Sequence, residues 1–144
     1  MSKPLIVFDI DSVLANNDER ACYLDADRPD WKAFTDPKNI AKDLPIKPMI
    51  AIYRNFCKTA RVEIWTGRSE TARLITHQWL QKHTGMLPHK LLMRPNDSRL
   101  SNLDLKHQYL TNSDRRPALV FDAQPDTSSF WHKRKILVCY TIHS

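Results

Sequence analysis

Glycine is nearly absent: Gly67 and Gly85 are the only two in 144 residues. A Walker loop, G-x-x-x-x-G-K-[ST], and a dinucleotide fingerprint, G-x-G-x-x-G, are both missing, which excludes the common glycine-built phosphate cradles. Cysteine is sparse too. Cys22, Cys57 and Cys139 are scattered and odd in number, with no C-x-x-C or Cys/His spacing suited to zinc. The histidines show no metal-ligand spacing either. No apolar run approaches the roughly 20 residues that span a bilayer. The opening MSKPLIVFDID places an acid where a signal peptide would continue its apolar run. These absences lead us to expect a cytoplasmic protein with reduced thiols and no membrane partner.

What is present points to one globular domain. The length suits a single core without disulfide or zinc staples. Lys and Arg outnumber Asp and Glu, 22 to 16, a net charge of +6. That balance fits anionic partners such as nucleotides or nucleic acid, and equally a solubilising basic surface.

Five short apolar runs read as strands: Leu5–Asp9, Val62–Trp65, Lys90–Met93, Ala118–Asp122 and Ile136–Tyr140. Most are continuously apolar, as strands covered on both faces are. Helical patterns lie between them. Pro48 opens one at its first turn, with Met49, Tyr53, Phe56, Cys57 and Ala60 on one stripe. Ser69 caps a second that turns Ala72, Ile75 and Trp79 inward. A third covers Leu103 to Leu110, and a short fourth starts near Asp126 or Thr127 and carries Phe130 and Trp131. Alternating strands and helices predict an α/β three-layer sandwich around a mainly parallel five-stranded sheet. Residues 14–47 break the alternation. They hold Pro29, Pro37 and Pro45 with Tyr23, Trp31 and Phe34, and read as a partly helical cap insertion after the first strand.

In parallel sheets, ligands bind beyond the carboxyl ends of the strands. Strand one ends in Asp9, with Asp11 two residues on. Strand two runs into Thr66, Gly67 and Arg68. Strand four ends in Asp122, with Asp126 four residues later. Lys106 lies at the start of the helical stretch between strands three and four. This set suits phosphoryl transfer. A carboxylate attacks phosphorus only when the phosphate charge is masked, and Mg²⁺, a hard cation with oxygen ligands, can mask it. Lys106 and the Thr66 hydroxyl can bind the remaining phosphate oxygens. An aspartyl-phosphate on Asp9 splits the hydrolysis into two easier steps, with Asp11 as general acid and then base.

The same segments resemble a known family. LIVFDIDSVLA, VEIWTGRSE, the lysine of LDLKHQYL and ALVFDAQPD are similar to the four motifs of the haloacid dehalogenase superfamily. Within it, the order Leu92-Met93-Arg94, Asp97-Ser98-Arg99, Lys106, Asp122 and Trp131 resembles the 3′-phosphatase domain of phage polynucleotide kinase-phosphatases. The insertion with Asp30-Trp31 and Phe34 resembles the small cap of phage members. The likeness runs along nearly all of residues 1–144. It implies a Rossmann-like fold with Asp9 as nucleophile and metal ligand, and Asp11 as acid/base giving its backbone carbonyl to the metal. Thr66 and Lys106 would serve the phosphate, and Asp122 the metal. Arg20, Arg68 and, more distantly, Arg99 resemble substrate contacts.

Three places depart from the family pattern. Ser12-Val13 stands where Gly-Thr is usual, Ala123 replaces the second acid of D-D, and Asn102 replaces an acid four positions before the lysine. Asp126 is the acid that could compensate for Ala123, or else cap the helix that follows. Three functions stay open on these residues. They are a Mg²⁺-dependent phosphatase of a phosphorylated nucleic-acid end, a 5′-nucleotidase on mononucleotides, and a catalytically weakened binding protein on the same fold. Trp31 is the candidate for stacking on a base.

Overall fold

The structure is a computed structural model that describes residues 2–25 and 27–142. The chain runs β1 (Leu5–Phe8), β2 (Ala15–Asn16), α1 (Asp18–Ala21), α2 (Trp31–Phe34), α3 (Pro37–Ile40), β3 (Leu44–Pro45), α4 (Lys47–Thr59) and β4 (Arg61–Ser69). After a short 3₁₀ turn follow α5 (Arg73–Thr84), β5 (Lys90–Arg94), α6 (Asn102–Asn112), β6 (Pro117–Asp122), α7 (Pro125–Lys133) and β7 (Val138–Tyr140). The five main strands form one sheet in the order β5-β4-β1-β6-β7, and every pairing is parallel.

The alternation of β1 explains the layers. Successive side chains of a strand point to opposite faces. Ile6 and Phe8 pack with Tyr53 of α4 and Trp79 and Leu80 of α5. Leu5 and Val7 pack with Leu105 and Tyr109 of α6 and Trp131 of α7. All four β1 residues are buried, as a central strand between two helical layers must be. The expected three-layer α/β sandwich is therefore the architecture found.

Local boundaries differ in three informative places. β4 is nine residues long, so Thr66, Gly67 and Arg68 lie within it, where its register against β5 shifts between Trp65 and Ser69. The run Ile136–Tyr140 is not one strand. Lys135 has φ 57°, and the Ile136 N–H bonds back to the Trp131 carbonyl, so the chain turns and pairs only from Val138. Helix α7 opens at Pro125, whose missing N–H costs nothing at a first helical position, rather than at Asp126 or Thr127.

The insertion folds as a small cap. β2 and β3 pair antiparallel, Ala15 opposite Pro45 and Asn16 opposite Leu44, and three short helices lie between them. Ile40 of α3 packs with Ala72 and Met93 of the body, and the Trp79 indole donates to the Asp43 carbonyl at 2.8 Å. Among the described residues no helix is long and apolar enough to cross a membrane.

Candidate active site

Register brings the acids together. Phe8 of β1 stands beside Phe121 of β6, so the next residues, Asp9 and Asp122, leave neighbouring strands at the same level. Asp9 keeps the sheet direction through its N–H bond to the Phe121 carbonyl, 3.0 Å. Lys106, buried on α6, reaches under both acids. Its Nζ donates to Asp9 Oδ2 at 3.0 Å and to Asp122 Oδ2 at 3.5 Å. Asp122 is held further by Trp131 Nε1 on Oδ2 and by the Ala123 N–H on Oδ1. Asp9 Oδ1 accepts the Ile10 N–H at 2.7 Å.

Two carboxylates thus share one ammonium out of water. Burial pushes Asp9 up to about 6, with Asp122 and Asp11 adding to the rise and Lys106 opposing it. Burial works against the charge of Lys106, but Asp9 and Asp122 outweigh it and hold the ammonium charged.

A second buried ionic cluster lies beside the first. Arg68 donates through Nε and Nη2 to Asp11 at 3.1 and 2.7 Å, through Nη2 to Asp43 at 3.1 Å, and through Nη1 to the Thr76 hydroxyl at 3.1 Å. Arg20 grips Asp43 in a two-point contact at 2.8 Å each and reaches Asp11 at 3.2 Å. Its Nη1 donates to the Phe34 carbonyl. Burial acts to raise Asp11, but Arg68 and then Arg20 outweigh it and hold the carboxyl below its ordinary value. Asp43 is raised, burial prevailing over the two arginines.

Asp9, Asp11, Arg20 and Arg68 from these clusters line a cavity of about 550 Å³, together with Trp31, Phe34, Arg94 and Gln124 among others. Thr66 is buried in β4, next to Gly67, which lines the cavity. The Thr66 Oγ1 accepts the Arg68 N–H at 3.1 Å, leaving its own hydrogen free to donate.

Not every expected residue is gathered here. Asp9, Asp11, Thr66, Lys106, Asp122, Arg20 and Arg68 converge. Asp126 does not: helix α7 begins one residue before it, and the carboxylate is exposed on the first turn, accepting the Thr127 N–H at 3.0 Å. It is not the N-cap either, a position Gln124 occupies. Arg99 is exposed in the loop after β5 and does not line the cavity. Arg94 lines it instead, donating to the Gly67 carbonyl at 3.0 Å, to Asn102 Oδ1 at 2.8 Å and to the Leu100 carbonyl. Asp43 and Gln124 were not singled out from sequence. Asp43 sits in an unpatterned KDLP stretch, and only the folded cap shows it against two arginines.

Hard oxygen donors around a surplus of negative charge suit a divalent cation. The Asp9–Asp122 pair has that character, with one cation for two carboxylates, and Asp9 is raised first by burial and further by Asp122. Among the described residues no three Asp, Glu, His or Cys side chains converge as a complete metal cage. Ala123, half-buried against the apolar cluster around Phe121, offers only a methyl where a third carboxylate would stand.

No known protein-family profile and no curated protein matches the chain. Solved structures do. A chain in the Pnkp1/Rnl/Hen1 complex superposes with a TM-score of 0.76 at 18% identity, covering 99% of this chain and 47% of that one. A haloacid dehalogenase-like family hydrolase from Streptococcus pneumoniae gives 0.70 at 11% identity, covering 96% and 84%. The fold is haloacid dehalogenase-like. A class C acid phosphatase from Bacillus anthracis, solved with tungstate bound, shares this haloacid dehalogenase-like fold at TM-score 0.64 and 14% identity, covering 98% and 67%. The chain spans less than half the length of the Pnkp1 complex chain it matches. At these identities the likeness is one of fold, and the chemistry rests on the residues themselves.

Proposed function

We propose that the chain is a Mg²⁺-assisted phosphomonoesterase that forms an aspartyl-phosphate on Asp9 and acts on the 3′-phosphorylated end of a nucleic acid. The observation that carries this reading is the sharing of the buried Lys106 by Asp122 and Asp9, the latter lining an arginine-walled cavity. Support for the substrate comes from the motif order resembling phage 3′-phosphatases, the net charge of +6 and a similar chain in what is described as an RNA repair complex.

In the first step an Asp9 carboxylate oxygen forms a bond to phosphorus as the bond to the leaving oxygen breaks, and Asp11 supplies the proton that the leaving oxygen takes. Water then attacks the aspartyl-phosphate, Asp11 accepts its proton, and inorganic phosphate departs from a restored Asp9. Lys106 stays charged beside Asp9 and stabilises the charge developing there. Asp11 is held ionised by Arg68 and Arg20 in this arrangement. An incoming phosphate draws the same two guanidiniums to its oxygens, so binding substrate frees Asp11 to carry a proton. The Thr66 hydroxyl and the Arg68 side chain position the phosphoryl oxygens. Asp9, Asp122 and, as the family resemblance implies, the Asp11 carbonyl would hold Mg²⁺, which when bound supplies the positive charge that lets a carboxylate approach a phosphate.

The test is phosphate release with and without Mg²⁺ from a 3′-phosphorylated oligonucleotide, set beside mononucleotides. Metal-dependent release that Asp9→Asn abolishes is expected. Inactive wild-type protein, or an Asp9→Asn protein as active as wild type, rejects the reading. Preference for mononucleotides replaces the substrate with a free nucleotide.

A further inference from the structure

Of the four tryptophans, Trp65, Trp79 and Trp131 are buried in the body, while Trp31 on the cap is 61% exposed. A large apolar ring left in water forgoes the favourable burial that its area offers. Yet the residue is not loosely held. Asp30 caps α2 by accepting the Ala33 N–H at 2.9 Å, and the Thr35 hydroxyl donates to the Trp31 carbonyl at 2.7 Å. The indole is braced edge-on by Phe34, centroids 5.9 Å apart at 86°. Phe34 in turn lies under the Arg20 guanidinium at 4.7 Å, and that guanidinium reaches Asp11. A fixed, wet aromatic surface is thereby joined through two intervening side chains, Phe34 and Arg20, to the acid proposed to handle the proton.

Trp31 and Phe34 line the same cavity as Asp9 and Asp11. Its volume of about 550 Å³ falls in the roughly 300–1,000 Å³ range of small-molecule sites, far more than one phosphoryl group fills. Arg94, also on its wall, makes no ion pair among the described residues, because its side-chain partner at 102 is the neutral Asn102. Its charge is left for a ligand's own negative groups.

We infer that Trp31 is the stacking seat for the base carried by the phosphorylated nucleotide, so that the enzyme takes a base-bearing nucleic-acid end and discriminates against the same phosphate without a base. This rests on the phosphatase reading above and adds a base subsite to it. Every base has a π-face, so the seat selects for the presence of a base and is tolerant of its identity. The stack lies on the cap, and the attacking carboxylate lies on the body. The two ends of the substrate are therefore read by separate parts of the fold.

The test compares two oligonucleotides that end in a 3′-phosphate, one with a normal terminal nucleotide and one whose terminal nucleotide is abasic. Stacking losses of ~1–3 kcal/mol per base correspond to roughly 5- to 150-fold in affinity or kcat/KM. Wild-type protein should therefore favour the base-bearing end by about fivefold or more. In Trp31→Ala that ratio should collapse towards one, and in Trp31→Phe most of it should remain. A ratio unmoved by Trp31→Ala, or a wild-type ratio of one with both ends cleaved, overturns the seat while leaving the phosphatase intact. A second measurement does not need turnover. Because the other three tryptophans are buried, quenching of indole fluorescence on titrating Asp9→Asn protein with the base-bearing oligonucleotide reports on Trp31. Saturable quenching by that ligand and not by the abasic one is expected, and its loss in the Asp9→Asn/Trp31→Phe double variant. Equal quenching by both, or binding without quenching, overturns the inference even if no substrate is turned over.

Discussion

Asp9, the proposed nucleophile, is held ionised only at the expense of the fold. Its carboxyl is pushed from 3.8 up to about 6, first by burial. A raised folded-state value means that the ionised form is the one the native structure tolerates poorly. The destabilisation is therefore fully present above about pH 6 and is relieved as pH falls from there towards 3.8. In metal-free buffer at pH 7, Asp9→Asn should stabilise the protein by ~1–3 kcal/mol, while with Mg²⁺ added it should abolish turnover. Chemical denaturation at pH 7 and pH 4 checks this, and the advantage should shrink at the lower pH. Ser12 carries a smaller burden of the same kind. It stands where the resembling family has glycine, and its φ is +65°, a left-handed conformation that costs an L residue roughly 1–2 kcal/mol. Its N–H bonds to the Ala15 carbonyl and its own carbonyl accepts the Thr141 hydroxyl, so the turn is held in place. Ser12→Gly should raise stability by ~0.5–1 kcal/mol, since the freer unfolded chain of glycine takes back part of the gain. Equilibrium unfolding of that variant measures it.

Strand β4 and helix α6 meet at a point with no spare room. A methyl on Gly67 would lie 2.4 Å from Asn102 Oδ1, the atom that also accepts from Arg94. Gly67→Ala must push the Asn102 side chain aside and disturb its bond to Arg94, at the first residue of α6, the helix that carries Lys106. A loss of about 1–3 kcal/mol is expected from such overpacking, and adding Asn102→Ala should recover part of it. Thermal unfolding of the single and double variants reads the coupling, and simple additivity of the two changes would show that the contact does not matter. The cap is tied to the body by a comparable device. Asp43, just before β3, anchors Arg20 from α1 and Arg68 from β4, and both hold Asp11. Moving the cap therefore alters the surroundings of the proposed acid.

Across the chain, the three-layer α/β sandwich was legible because hydrophobic period is a local signal, and the haloacid dehalogenase likeness because its motifs are short runs at the strand ends. LIVFD, VEIW and ALVFD announce central strands, and each leads into a residue the proposed chemistry uses. Two of the expected residues lie apart from the cavity. Asp126 is turned to solvent, and Arg99 lies outside the cavity that Arg94 lines. Spacing along the chain says nothing of the direction in which a helix sets off, and Pro125 decided that. A metal ion that binds only the native state stabilises the whole molecule. Mg²⁺ at about 100 times its dissociation constant should add ~2.7 kcal/mol, seen as a rise in the unfolding temperature. The rise should survive Asp126→Ala and vanish in Asp122→Asn, and the reverse pattern would return Asp126 to the metal site. Order along the chain thus settled which residues end the strands, because burial on both faces demands apolar runs and leaves the polar residues at their tips. Folding alone decided which of those tips share a counter-ion and which acid joins cap to body. Such pairings, Lys106 with Asp9 and Asp43 with Arg20, link residues 97 and 23 positions apart. No local pattern encodes contacts across such distances; they exist only once the sheet is in register and the cap has closed on it.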